Sequence, residues 1–167
     1  MRIAFYGSSL LSSYWNGAAT YYRGLLRCLA AHGHDIVFYE PDAFERQSHR
    51  DIDPPDWARV RVYPATEAGL RRVIAEAAAA DVVVKASGVG VFDEELLAGT
   101  MAAAHPGAVR IYWDVDAPAT LQDMRQMPDH PVRRALPGLD LVLTYGGGPP
   151  VVHGYTGLGA RRCVPVY

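Results

Sequence analysis

Apolar runs recur along the chain, and helical patterns fill the intervals between them. The runs are IAFY at 3–6, IVFY at 36–39, VRVY at 60–63, VVVK at 82–85, VRIYW at 109–113, LVLTY at 141–145 and CVPVY at 163–167. Most are near-continuous and rich in β-branched residues, which suits strands buried on both faces, as in a parallel sheet. A first helix is expected over about 18–32, with Ala18, Tyr22, Leu25, Leu26 and Leu29 on one stripe. Asn16 reads as its N-cap and Gly33 as its C′ residue. The segment ATEAGLRRVIAEAAAA predicts a second helix, capped by Thr66 with Glu67 in the first turn. FDEELLAGTMAAA predicts a third, with Asp93 as a possible cap, while APATLQDMRQM and PPVVHGYTGL give weaker helical patterns.

Strands alternating with helices predict right-handed crossovers and a Rossmann-like, doubly wound, mainly parallel sheet with helices on both faces. The strand opening at Arg2 is expected near its centre. Two segments break the rhythm. The polar connection DAFERQSHRDIDPPDW, 42–57, is long enough to suggest function or mobility and has room for a short helix before Pro54-Pro55. The other is the strand-like run that reaches Tyr167 without a closing helix.

Composition narrows the class. The chain has 167 residues, half of them hydrophobic and a fifth charged, which fits one globular core. A net charge of −2 without a Lys/Arg run argues against a nucleic-acid partner. No stretch approaches the ~20 apolar residues of a membrane span. Nor does the short apolar run after Arg2 read as a secretory leader, so a cytoplasmic location is the expectation. The two cysteines, Cys28 and Cys163, form no disulfide framework; Cys28 is expected to be buried in the helix stripe and reduced.

Candidate chemistry collects at the carboxyl ends of the strands, where open parallel sheets bind ligands. These ends carry Gly7-Ser8-Ser9, Ser87-Gly88-Val89-Gly90, Asp114-Val115-Asp116 and Gly146-Gly147-Gly148. Glycines after strands often only turn the chain, but four such ends together make a cleft the working expectation. Its substrate-binding candidates are Ser8, Ser9, Asn16, Gly17, Lys85, Ser87, Gly88, Asp116, Tyr145, Gly146 and Gly147. Neither G-x-G-x-x-G nor G-x-x-x-x-G-K-[ST] occurs, which weakens dinucleotide and P-loop readings. Instead YWNGAATYY, 14–22, supplies a long aromatic turn with flat faces and polar edges suited to sugar rings or bases. Tyr22 falls on the core stripe and reads as packing, and Trp15 has the same bland alternative.

Asp114 and Asp116 have D-x-D spacing, by which many sugar-transferring enzymes hold a divalent metal and a diphosphate. Asp116 reads better as a cap for the following helix, with Pro118 near its first turn. Asp114, just beyond a buried strand, is the candidate general base toward a hydroxyl. Lys85 ends a valine run, and reads either as partner to a carboxylate or anion, or as a snorkelling lysine. His49 and His153 have no metal-ligand spacing, and no resident metal or cofactor is expected.

The opening segment, from MRIAFYGSS through LAAHGHDIVFYEPD, looks like the start of GT-B-type glycosyltransferases, with their GH-x-[IV] entry into the second strand. HRDIDPPDWARV, VVVKASGVGVFD, WDVDAPATL and LVLTYGGGPPVV resemble bacterial proteins of the CgeB family, glycosyltransferase-like proteins associated with spore maturation. The resemblance covers essentially the whole chain. It implies a two-domain enzyme with the cleft between two Rossmann-like halves, the acceptor on the N-terminal half and the nucleotide-sugar on the C-terminal half. Residues 1–167 then form the N-terminal, acceptor-side domain, inactive by itself, whose partners are a sugar-bearing or other hydroxylated acceptor and a nucleotide-sugar donor. GT-B enzymes generally need no bound metal, which lowers the metal reading of D-x-D. Two other classes stay open: a stand-alone, non-enzymatic α/β ligand- or partner-binding module, and a compact metal-dependent nucleotide-sugar transferase using Asp114 and Asp116.

Overall fold

The computed structural model describes residues 1–14 and 16–167. Trp15 therefore lies outside the described residues. The strands are β1 (Arg2–Tyr6), β2 (Asp35–Asp42), β3 (Arg59–Pro64), β4 (Val82–Ala86), β5 (Val109–Asp114), β6 (Leu141–Tyr145) and β7 (Cys163–Val166). They form one seven-stranded sheet in the order β3-β2-β1-β4-β5-β6-β7, and all neighbours are parallel. The helices are α1 (Gly17–Ala31), α2 (Glu67–Glu76), α3 (Asp93–Ala103), α4 (Ala117–Gln126), α5 (Pro131–Ala135) and α6 (Gly148–Gly157). The doubly wound α/β architecture is the one the alternating pattern predicts.

Strand order reverses at β1. The chain runs outward through β2 and β3, crosses back to β4 beside β1, and proceeds outward on the other side. Right-handed crossovers place connections that run toward β3 on one face and those that run toward β7 on the other. On one face, Tyr22 and Leu26 of α1 pack on Phe5, Phe38, Val84 and Trp113. On the other, α2 and α3 cover Tyr6, Tyr39 and Val83, while α3, α4, α5 and α6 cover Tyr112 and Val142. The helices lie on both faces but unevenly: among the described residues α1 alone covers the first. The register sets Tyr6 opposite Lys85, Ala86 opposite Trp113 and Asp114 opposite Thr144, so the carboxyl ends of the central strands stand level.

Local sequence sets the helix ends. The Asn16 side chain accepts from the Ala18 N–H and starts α1, and Gly33, at φ +84°, follows its C-terminal turn. Thr66 accepts from the Gly69 N–H at the start of α2. At α4, Asp116 occupies the N-cap position but makes no side-chain cap bond. Asp93 is the first residue of α3, not its cap: Phe92 holds the cap position at φ +53°. Two other expectations change. Cys28 is exposed, because it points away from the side of α1 that carries buried Tyr22 and Leu26. The 42–57 connection holds no helix; it runs through turns, with Phe44 and Glu45 at φ +54° and +56°.

Candidate functional site

The loop after β1 is built around a carboxylate from β2. Glu40 is wholly buried. Its Oε2 accepts from the Leu10 N–H at 2.6 Å, the Leu11 N–H at 3.3 Å and the Ser9 hydroxyl at 3.1 Å, and its Oε1 accepts from Gln47 Nε2 at 2.6 Å. A buried carboxylate needs such a donor set. The arrangement ties the loop to the 42–57 connection, and further links reinforce it. Ser12 donates to the His49 carbonyl at 2.8 Å, and Arg23 pairs with Asp51 at 2.6 Å. Arg23 and Ser13 hold the Asp51 carboxyl well below the usual carboxylate range through hydrogen bonds. The Tyr14 ring stacks on His49 at 4.0 Å. The length of this turn thus has a structural use: it carries one strap of a two-strap edge.

Arg46 closes that edge at the point of strand reversal. One guanidinium nitrogen donates to the Ser8 carbonyl and another to the Val89 carbonyl, each at 2.8 Å. It therefore bridges the loops after β1 and β4. Burial lowers its pKa from the usual arginine value. Gly7 contributes close approach rather than a phosphate grip, since a Cβ there would sit 2.6 Å from Phe38 Cζ.

The other strand ends divide between the two faces. Lys85 is 2% exposed, which excludes a snorkelling side chain. Its ammonium pairs with Asp93 Oδ1, and the Asp93 carboxylate also accepts from the Val89 and Gly90 N–H groups at 3.2 and 2.7 Å. Burial pulls the Lys85 pKa down, against the opposing pull of Asp93. Asp114 is wholly buried on the same face. Its Oδ1 accepts from Ser87 Oγ at 3.2 Å and from the Asp116 N–H at 3.0 Å, and its Oδ2 accepts from the Tyr155 hydroxyl. Ser87 Oγ in turn accepts from the Val115 N–H at 2.9 Å. This network fixes the turn from β5 into α4, and burial pushes the Tyr155 hydroxyl far above its ordinary range.

Several of the candidate residues therefore meet in pairs rather than in one cluster. Asn16 donates to Ser8 Oγ, and Ser87 donates to Asp114. Ser9 is buried in the Glu40 network. Tyr145 belongs to the opposite face, its ring 4.7 Å from Tyr21 and 5.8 Å from Trp113. Gly146 and Gly147 take φ of +58° and +87°, which the turn into α6 requires. Gly17 opens α1, and Gly88, at φ +68°, turns the chain after β4. Asp116 is exposed while Asp114 is buried, so the two carboxylates do not converge, and among the described residues no cluster of three or more metal-ligating side chains exists.

A cavity of about 240 Å³ lies behind these loops, lined by Lys85, Ser87, Gly88, Tyr112, Asp123 and His130 among others. Sequence reasoning missed Glu40, Arg46, Tyr155 and this cavity. Glu40 carried a signal, being the charge inside the β2 apolar run. Tyr155 and Arg46 carried none, because their partners lie 41, 38 and 43 positions away. No protein-family model and no curated protein matches the chain.

Proposed function

We propose that this chain is the acceptor-binding, N-terminal domain of a CgeB-type, GT-B glycosyltransferase acting in the cytoplasm, with the nucleotide-sugar held by a C-terminal domain. The observation that carries the reading is the occupation of the loop after β1. In a dinucleotide site, the backbone N–H groups at this position face a pyrophosphate. Here the Leu10 and Leu11 N–H groups donate to Glu40. A buried carboxylate in that place disfavours a diphosphate, so the domain suits a neutral, hydroxylated acceptor better than a nucleotide-sugar.

In this reading Asp114 positions the β5–α4 corner and is not the base. Both its oxygens are engaged and none of its surface is open. A base must reach the proton it takes. The test is calorimetric titration of the chain with UDP-, GDP- and dTDP-sugars, followed by a mass-spectrometric product assay. Binding weaker than about 1 mM and no transfer are expected. Micromolar binding of a nucleotide-sugar to this chain by itself would overturn the division of labour. Turnover abolished by a chelator would favour the metal-dependent transferase instead.

A further inference from the structure

The cavity beside Lys85 is small and lined by both polar and apolar side chains. At about 240 Å³ it falls below the roughly 300–1,000 Å³ of drug-sized sites, and accommodates one ring with little besides. Lys85 is its buried cation. An ammonium has three N–H donors, and among the described residues only Asp93 accepts from it. His130 Nδ1 accepts from the Val132 N–H at 3.3 Å, which leaves Nε2–H as the ring's remaining donor. Asp123, on α4, makes no side-chain hydrogen bond among the described residues and supplies a free acceptor. The apolar wall comes from Leu97 and Tyr112.

Charge decides between ligand classes. Lys85 is balanced by Asp93, and Glu94, also on the lining, by Arg134 at 2.6 Å. Asp123 remains as an unpaired carboxylate. An anion would meet that carboxylate, and a metal ion would meet the Lys85 ammonium. A neutral ring with hydroxyls on its edge and C–H groups on its face fits both walls: hydroxyls accept from Lys85 and His130 and donate to Asp123, while the C–H face lies on Leu97 and Tyr112.

We infer that this cavity seats a single neutral sugar ring, a hexose or N-acetylhexosamine, as the terminal unit of the acceptor. The inference rests on the acceptor-domain reading and deepens it. Ser87 and Gly88 line the same cavity, which connects it with the carboxyl edge of the sheet where a donor domain would meet the acceptor.

The experiment is a ¹H–¹⁵N correlation titration of this chain with glucose, galactose, N-acetylglucosamine and N-acetylgalactosamine, with inorganic phosphate as the anionic probe. At least one sugar is expected to give saturable shifts centred on the amides of Gly88, Leu97, Asp123 and Val132. Asp123→Ala and Lys85→Met should each weaken that binding at least tenfold. The Asp123 variant removes no side-chain bond of the fold, so it keeps the test valid where the Lys85 variant unfolds. The inference is overturned by an absence of saturable shifts with every sugar, by shifts centred on the 8–16 loop, by phosphate shifting these amides more than any sugar, or by unchanged affinity in Asp123→Ala. A transfer assay on a chain extended through a donor domain separates the two readings. Sugar binding here without transfer keeps the pocket and removes the transferase; transfer unaffected by Asp123→Ala does the reverse.

Discussion

Replacing Tyr155 by Phe tests whether Asp114 is an internal anchor or a solvent-facing base. The substitution deletes one hydroxyl from a residue that is wholly buried, and leaves the ring packing in place. What is lost is the donor to Asp114 Oδ2, inside a region with no water contact. A hydrogen bond to a charged group contributes about 1.5–3 kcal/mol, and leaving a buried acceptor unmet costs a similar amount. The expected loss of stability is therefore about 2 kcal/mol, read as a lower urea midpoint at unchanged slope. In a chain of 167 residues that corresponds to a Tm lower by about 4–8 °C. Asp114→Ala strands three donors, the Tyr155 hydroxyl, the Ser87 hydroxyl and the Asp116 N–H, and should cost more. The double variant isolates the pair, with a coupling of about 1.5–3 kcal/mol expected. Asp114→Asn should also destabilise, since its amide presents N–H groups to a hydroxyl that now has to accept. If Tyr155→Phe stays within about 0.5 kcal/mol of the parent, or Asp114→Asn is as stable as the parent, the anchor reasoning fails and a base role returns.

Three further outcomes follow from the packing and the charges. Gly7→Ala should lower Tm by several degrees in thermal melts, because its Cβ would meet Phe38, a fully buried ring stacked on Phe5 at 5.2 Å, and overpacking costs about 1–3 kcal/mol; an unchanged Tm would mean that the ring yields freely. At pH 8, a disulfide-exchange reagent should label exposed Cys28 quickly and spare Cys163, whose thiol burial pushes up to about 11; labelling of both at equal rates in the folded protein contradicts this. The hydrogen bonds from Arg23 and Ser13 depress the folded pKa of Asp51, so its contribution is complete above the unfolded value of about 4 and is lost as pH falls toward the folded one. Its side chain is 41% exposed, so Asp51→Asn should cost no more than about 1 kcal/mol at pH 7 and progressively less as pH falls below about 4; a difference in urea midpoint that does not shrink between pH 7 and acid would refute the assignment.

The strands and most of the helices were legible in the chain itself, because both are set by local rules. VVVK and IVFY are apolar or β-branched on successive positions over a strand's length, which suits a sheet covered on both sides. Asn16, Gly33 and Thr66 mark helix ends through bonds to neighbours two or three residues away or through a local φ, so their roles needed no tertiary information. The central place of β1 was expected, but the strand order, with its reversal there, is set by which strands pair in the folded sheet. For the candidate site the chain itself offered an address, the carboxyl edge of the sheet, and not the wiring found there. Whether Asp114 faces solvent depends on Tyr155 of α6, and whether the loop after β1 grips a phosphate depends on Glu40 of β2. Cys28 shows the same limit on a single helix: being within a helix of apolar residues did not decide which way it points, since the docking of Tyr22 and Leu26 on the sheet sets the rotation of α1. Periodicity acts over a few residues and is written in the chain. The state of a buried polar group is decided by partners dozens of positions away, and only the folded packing of sheet and helices brings them within hydrogen-bond reach.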